Sequence, residues 1–108
     1  MVKFNGYDIT LTLGDSLTFG VQLVGRTLPE NTEALFTVRR RAGDEEALLE
    51  KRLPVLPDGW VRIELTSEET SLPKRGYRWD LRVLLPEGEV MTPMTPAGFL
   101  ITEVIGNA

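Results

Sequence analysis

The chain has 108 residues, of which 42% are hydrophobic and 26% charged. This length and balance suit a single domain over residues 1–108 with one core. It contains no histidine and no cysteine, which excludes a disulfide-stapled fold and most nucleophilic, general-base and transition-metal sites. The net charge of −4 opposes binding to nucleic acid or anionic membranes. No apolar run approaches the ~20 residues that cross a bilayer, so we expect a soluble protein. Residues 1–6 turn polar early and lack the apolar region of a signal peptide, so we expect it to be made without one.

The first third of the chain predicts three strands, because apolar and polar residues alternate with a period of two. The alternating apolar positions are Ile9, Leu11 and Leu13, then Leu17, Phe19, Val21 and Leu23, then Ala34, Phe36 and Val38. Gly14 and Asp15 supply the turn between the first two strands. Residues 25–33 form a loop before the third.

The middle of the chain is less uniform. Residues 47–53 fit either a short helix or an edge strand, and we favour the strand. Pro54 and Pro57 limit continuation on that side, and Asp58 with Gly59 is a strong turn dipeptide. The apolar positions of the next predicted strand are Val61, Ile63 and Leu65.

A capping box follows at residues 66–69. In this motif the hydroxyl of Thr66 accepts from a first-turn amide, and Glu69 reaches back to the amide of the cap residue. It predicts one short helical turn and gives both residues a structural role.

The longest predicted strand begins at Tyr77 and Trp79. In Greek-key sandwiches a tyrosine near the start of a late strand can hydrogen-bond to upstream backbone, the tyrosine corner, and the large apolar residues after it fill the core. The inward positions are Tyr77, Trp79, Leu81, Val83 and Leu85. Both aromatic residues are therefore expected to be structural.

The C-terminal part predicts a hairpin turn at residues 86–89 and a last strand at 98–104. Pro93 and Pro96 interrupt the return between them and indicate a bulge or a sheet edge. Turn signals recur about every 8 to 12 residues without βαβ alternation. The sequence thus predicts an all-β Greek-key β-sandwich of seven or eight strands with one short helical turn.

Charged residues suggest two further sites. Arg39 and Arg41 could grip a phosphate or a carboxylate-rich partner, because guanidinium groups present paired donors in a plane. Acidic residues at 44–46 offer a simpler role, neutralising this end of the strand across its turn. Asp80 and Glu64 could form the carboxylate pair of a glycoside hydrolase. Nothing in the sequence brings them together, so we expect no enzymatic activity.

Trp60 is the best candidate for an exposed residue that contacts a ligand or partner. In the alternating pattern it lies on the opposite face of the strand from Val61, Ile63 and Leu65. An exposed aromatic face suits a sugar ring or a protein partner. Met91 and Met94 could form an adaptable contact strip, although an edge protected by proline also explains them. The turn aspartates lack the spacing of a calcium loop, and we expect no metal and no cofactor.

Two elements carry a resemblance to a known family. One is residues 9–19, a strand, a Gly-Asp-Ser turn and a second strand; the other is residues 65–81, with the capping box and the Tyr77 strand. Together with the final Gly-Phe-Leu-Ile strand, they resemble immunoglobulin-like domains of tailed-phage structural proteins, in particular the N-terminal domain of phage baseplate upper proteins. Such proteins typically continue into a longer receptor-side or coiled-coil region, which the 108 residues of this sequence do not include.

The resemblance implies an immunoglobulin-like sandwich that serves as a non-enzymatic structural or assembly domain of a phage or prophage particle, in the baseplate or tail. Its partners would be other structural proteins of the particle or further copies of itself, and its location the virion or the bacterial cytoplasm. From the residues themselves, the natural contacts are Trp60, Arg39, Arg41, Met91 and Met94. A small carbohydrate-binding β-sandwich module that uses Trp60 remains the alternative.

Overall fold

The computed structural model describes residues 2–25 and 27–103. That part of the chain is all-β, with nine strands and no helix, which confirms the predicted fold class at this level. The strands are β1 (Lys3–Asn5), β2 (Asp8–Thr12), β3 (Leu17–Gln22), β4 (Glu33–Arg39), β5 (Leu49–Pro54), β6 (Trp60–Leu65), β7 (Gly76–Leu84), β8 (Val90–Met91) and β9 (Ala97–Thr102). Within the same residues no helix has the length and apolarity that a membrane crossing requires.

The strands form two sheets of unequal size. The larger has the order β1-β2-β9-β7-β4-β5, with β8 also paired to β7, and the smaller is the antiparallel pair β3-β6. In the larger sheet β2 and β9 are parallel, which places Ile9 beside Phe99 and Leu11 beside Ile101. The other pairs of this sheet are antiparallel. The larger sheet is therefore mixed because β2 and β9, which come from opposite ends of the described chain, pair in parallel.

Apolar side chains from both sheets meet in one core, as in a β-sandwich. The ring centroid of Phe19 in β3 lies 5.7 Å from that of Trp79 in β7 and 6.4 Å from that of Phe36 in β4. Trp79 is 2% exposed, as its parity predicts. Other buried positions of the predicted strands are Ile9, Leu11, Leu17, Ala34, Val38, Val61, Ile63, Leu65, Leu81 and Val83.

The tyrosine of β7 fastens the preceding turn to the sheet. The Tyr77 hydroxyl donates to the carbonyl oxygen of Pro73 at 2.5 Å, and the residue is 3% exposed. Burial raises the pKa of this hydroxyl, against the opposing charges of Arg75 and Arg40. The group therefore stays protonated and keeps its donor role at neutral pH.

The uncertain segment of the middle chain contains a strand. Residues 49–54 form β5 and pair with β4, so that Leu49 lies opposite Val38 and Leu53 opposite Ala34. The strand prediction for this segment is confirmed over these residues. Pairing along the β4 edge gives β5 its backbone hydrogen bonds, whereas a helix as short as this segment is only marginally stable by itself.

The capping box forms, but it caps a turn. The Thr66 amide donates to Glu69 Oε1 at 2.9 Å, and the Glu69 amide donates to Thr66 Oγ1 at 3.2 Å. The amide of Thr70 bonds four residues back to Thr66, whereas that of Ser71 bonds three residues back to Glu68. The repeat that a helix requires is thus not continued, and the predicted helical turn appears as a hydrogen-bonded turn.

The proline-rich stretch separates the last two strands on one edge of β7. Val90 and Met91 pair with the end of β7, whereas β9 pairs with its beginning, from Gly76 to Trp79. Residues 92–96 lie between them outside the ladder, as expected from the two prolines. The last strand was predicted to reach residue 104, which lies outside the described residues.

Candidate interaction site

Strand β3 has a partner on one side only among the described strands. The Leu23 amide donates to the Gly59 carbonyl at 2.8 Å just beyond the β3-β6 ladder. In an antiparallel ladder the directly bonded pairs alternate, so Phe19 and Val21 direct their backbone groups towards β6. The backbone groups of Thr18, Gly20 and Gln22 consequently point away from β6, to the open edge.

The partner strand confirms this alternation. Trp60 and Glu64 lie opposite Gln22 and Thr18 in the register, and their carbonyl oxygens both bind elsewhere. That of Trp60 accepts from the Leu56 amide at 2.9 Å, and that of Glu64 accepts from Lys51 Nζ. Because these carbonyls point away from β3, the residues opposite them have their own backbone groups on the outer edge.

The open edge of β3 lacks the usual protection of edge strands. Natural edges carry charges, proline or bulges that prevent pairing with another chain. The neighbouring edge strands follow that rule: β1 contains Lys3, β5 contains Lys51 and Arg52, and β6 contains Arg62 and Glu64. By contrast β3 has the sequence LTFGVQ, without a charge or a proline.

A surface pocket of about 420 Å³, which we call the aromatic hollow, lies beside this edge, between β3 and the hairpin of β1 and β2. Its lining residues are Phe4, Gly6, Tyr7, Ile9, Phe19, Gly20, Val21, Gln22, Trp60 and Trp79. Three of its rings are partly open to solvent, with exposed fractions of 51% for Phe4, 63% for Tyr7 and 42% for Trp60. Large exposed aromatic side chains grouped in this way are typical of interaction surfaces.

The aromatic residues of the β1-β2 hairpin are fixed by contacts with Phe19 and Trp79 of the core. Its two-residue loop starts with Gly6 at a φ of +61°, a conformation that glycine adopts without strain. The Phe4 ring lies 5.6 Å from that of Phe19, and Trp79 Nε1 donates to the Tyr7 carbonyl at 2.8 Å. The hairpin is therefore attached to both sheets.

Trp60 lies against the backbone of β3. A Cβ atom added to Gly20 would come 3.1 Å from two carbons of the indole ring, so the glycine provides the space for this packing. The Trp60 amide donates to Asp58 Oδ1 at 3.3 Å, and Gln22 Nε2 donates to the Asp58 carbonyl at 3.4 Å. The Gln22 amide therefore lines the hollow and is joined to Asp58 in the turn before Trp60.

The methionines lie next to the aromatic hollow. Met91 and Met94 are half-buried and line an adjoining hollow of about 190 Å³, which shares Tyr7, Val21 and Gln22 with the first. The structure therefore places Met91, Met94 and Trp60 around one side of the molecule.

Arg39 and Arg41 lie elsewhere and differ from each other. Arg39 Nη1 lies 2.7 Å from Thr37 Oγ1 and 3.3 Å from Asp80 Oδ2, with its side chain 11% exposed. Thr37 in turn donates to Asp80 Oδ1 at 2.5 Å. This internal network occupies Arg39, so it offers no free contact surface, whereas Arg41 is exposed in the turn after β4.

The two carboxylates considered for glycoside hydrolysis do not face each other. Asp80 lies on the outer face of the large sheet, and Glu64 lies on the outer face of the small sheet, where Arg62 pairs with it at 2.8 Å. Within residues 2–25 and 27–103, no group of three acidic side chains is placed to hold a metal ion.

A larger hollow of about 600 Å³ opens among the loops at residues 27–31 and 55–59. Its lining contains no aromatic side chain, so it lacks the feature that makes the aromatic hollow a candidate.

Comparison with known proteins does not assign the chain to a family: no protein-family model and no curated protein matches it.

Phe4, Tyr7 and Gly20 were not among the residues that the sequence analysis selected. A signal for the first two exists in the Asn5-Gly6 dipeptide, a common hairpin turn that precedes an alternating strand. Gly20 has no such local signal, because its role depends on the position of Trp60 across the ladder.

Proposed function

We propose that the chain is a non-enzymatic structural domain of a phage or prophage particle, associated with the baseplate or tail, that acts through protein–protein contacts. The observation that carries this proposal is the open edge of β3 beside the aromatic hollow. An uncharged edge flanked by exposed aromatic residues suits a protein partner, since backbone pairing gives affinity and adjacent side-chain sites give specificity.

We further propose that the sandwich is of the immunoglobulin-like, Greek-key type. The Tyr77 hydrogen bond to Pro73 has the form of a tyrosine corner. The separation of β3 and β6 from the sheet that contains β4, β7 and β9 also fits two sheets linked by crossing connections. This supports the resemblance to tailed-phage structural domains, on which the phage assignment depends.

The residues around the aromatic hollow have the composition of an interface. Trp, Tyr, Phe and Met are enriched at protein contacts, and charged groups are depleted at their centres. Trp60, Tyr7 and Phe4, with Met91 and Met94 beside them, meet this description. We therefore place the contact with other particle proteins on this side of the molecule.

Mass spectrometry of purified particles tests this function directly. Prophage induction in the source bacterium, followed by gradient purification of the released particles, should yield this chain at a fixed ratio to the other tail or baseplate proteins. A chain that stays in the free protein fraction while intact tails are recovered would refute the proposal.

A carbohydrate-binding module is the second candidate. It is favoured by the exposed side chains of Trp60 and Tyr7 together with the Gln22 amide in the same hollow, since a ligand site combines aromatic surface with a few polar groups. Tryptophan fluorescence of the wild type titrated against a glycan panel should show saturable shifts. Calorimetric titration, which does not depend on the tryptophan, should show that Trp60→Ala removes the binding and that Leu48→Ala, another exposed site, retains it. Unchanged fluorescence at high glycan concentration would eliminate this candidate.

A further inference from the structure

We propose that two copies of the chain pair through β3, so that their small sheets join into one antiparallel sheet of the order β6-β3-β3-β6. The inference rests on the proposed assembly function and names the surface that performs it. Its basis is the outward direction of the backbone groups of Thr18, Gly20 and Gln22, which form a ready template for one more strand.

The sequence of β3 is complementary to itself in one antiparallel register. With a two-fold axis at Gly20, this residue faces its own equivalent, and Thr18 of one copy faces Gln22 of the other. All these residues direct their amides and carbonyls to the open edge, so the facing residues can exchange hydrogen bonds.

The same register keeps both faces of the joined sheet consistent. On the inward face Phe19 lies opposite Val21, and Leu17 opposite Leu23, so each pair is apolar. On the outward face the pairs are polar or glycine. A shift by one residue would set inward residues against outward ones, which a half-buried strand does not tolerate.

The charges around the edge favour a second copy as the occupant. The chain has a net charge of −4, so copies repel one another in general, and contact through a neutral patch adds no further repulsion. β3 carries no charge, and on the outer face of β6 Arg62 and Glu64 pair with each other at 2.8 Å. β5, at the far edge of the large sheet, has the sequence LEKRLP, and its three charged residues and its proline oppose strand pairing along that edge.

Self-pairing also covers the exposed rings. Phe4 and Tyr7 stand on one side of the edge and Trp60 on the other. A second β3 along the edge directs its inward side chains towards the aromatic hollow, where Phe4 is 51% exposed. Aromatic and β-branched cross-strand contacts of this kind stabilise sheet pairing.

Sedimentation velocity of the full chain over a wide concentration range tests the register through two double variants. Thr18→Lys with Gln22→Lys places like charges opposite each other twice per dimer, and we expect the dimer dissociation constant to rise at least about tenfold. Thr18→Lys with Gln22→Glu places opposite charges there, and we expect a value within about threefold of wild type. The wild type should reach twice the 12.1 kDa mass of one chain.

The matched control is Glu45→Gln with Glu46→Gln, which changes the net charge by the same amount at exposed positions away from β3 and should dimerise like the wild type. Circular dichroism melts establish that each variant is folded. If the double lysine variant fails to fold, the double glutamate variant, Thr18→Glu with Gln22→Glu, replaces it as the repulsive variant. If both variants fold, the double lysine and double glutamate proteins, mixed in equal amounts, should form a heterodimer.

A wild type that remains monomeric at every concentration overturns the inference, and so does an equal dissociation constant in the repulsive and compensated variants. These results are distinct from failure of the proposed function. A chain found in purified particles yet monomeric in isolation would refute the self-pairing alone, whereas a β3-dependent dimer absent from particles would refute the particle role alone.

Discussion

At the scale of single residues, the core depends most on Trp79, whose ring lies against Phe19 and Phe36 and whose Nε1 donates to the Tyr7 carbonyl. We predict that Trp79→Ala lowers the free energy of unfolding by about 3 to 5 kcal/mol, since it removes a buried aromatic ring. Urea denaturation followed by circular dichroism measures this change. Leu48→Ala, at a partly exposed position, should change it by less than about 1 kcal/mol. Equal stability of Trp79→Ala and wild type would show that the core is wrongly assigned.

Gly59 combines a positive φ with a close backbone contact. Its φ is +87°, and an added Cβ would lie 2.5 Å from the Leu23 carbonyl oxygen. We predict that Gly59→Ala lowers the free energy of unfolding by at least about 2 kcal/mol, because both the left-handed backbone and the close approach oppose a side chain. Gly43→Ala is the matched control: nothing lies within 4 Å of its Cβ position, so a change within about 0.5 kcal/mol is expected. Similar losses in both variants would contradict this account.

Strand parity explains which residue positions were predictable. Alternation is local, so it placed Trp79 inside and Trp60, now 42% exposed, outside. It could not show that Arg39 binds Asp80, because that contact joins residues 41 positions apart across the β4-β7 pair. Because Arg39 lies at the end of a strand, the sequence predicted an exposed side chain, whereas the structure has Arg39 in a largely buried ion pair with Asp80.

At the scale of elements, the capped turn at residues 66–70 should make stability depend on pH. Burial raises the pKa of Glu69, but the hydrogen bond from the Thr66 amide and the pairing with Lys51 at 3.0 Å outweigh it, so the pKa lies below its ordinary value of 4.5. A carboxyl group whose pKa is lowered by folding stabilises the fold above its unfolded pKa, and this stabilisation is lost as the pH falls through the lowered folded value.

We therefore predict that Glu69→Gln destabilises the protein near neutral pH, and that its difference from wild type shrinks below about pH 4.5. Urea denaturation of both proteins at a series of pH values from neutral to about 3 gives the comparison. A difference that stays constant across this range would mean that the charged form of Glu69 does not contribute through Thr66 and Lys51.

The elements themselves were largely predictable from alternation and turn residues. The β5 strand was favoured over a helix for residues 47–53, and β4 pairs with it over 49–54. β1 was not predicted, because three residues are too few to show a period. The capping motif correctly indicated the reciprocal hydrogen bonds of Thr66 and Glu69, but a local motif does not determine whether a helix continues beyond it.

At the scale of the whole molecule, the division into a large and a two-stranded sheet could not be predicted. It depends on the parallel pairing of β2 with β9, which joins Ile9 to Phe99, and no local pattern encodes a contact over that distance. The candidate site follows from this division. Because β2 and its hairpin partner belong to the large sheet, β3 keeps an open edge beside the aromatic hollow.

Residue-resolved amide exchange along β3 tests most directly that this open edge is the assembly surface. In dilute solution we predict alternation: slow exchange for the amides of Phe19 and Val21, which bond to β6, and fast exchange for Thr18, Gly20 and Gln22. At concentrations where the chain associates, all five should exchange slowly. Protection of the three outward amides in the dilute monomer, or fast exchange that persists after association, would contradict the account.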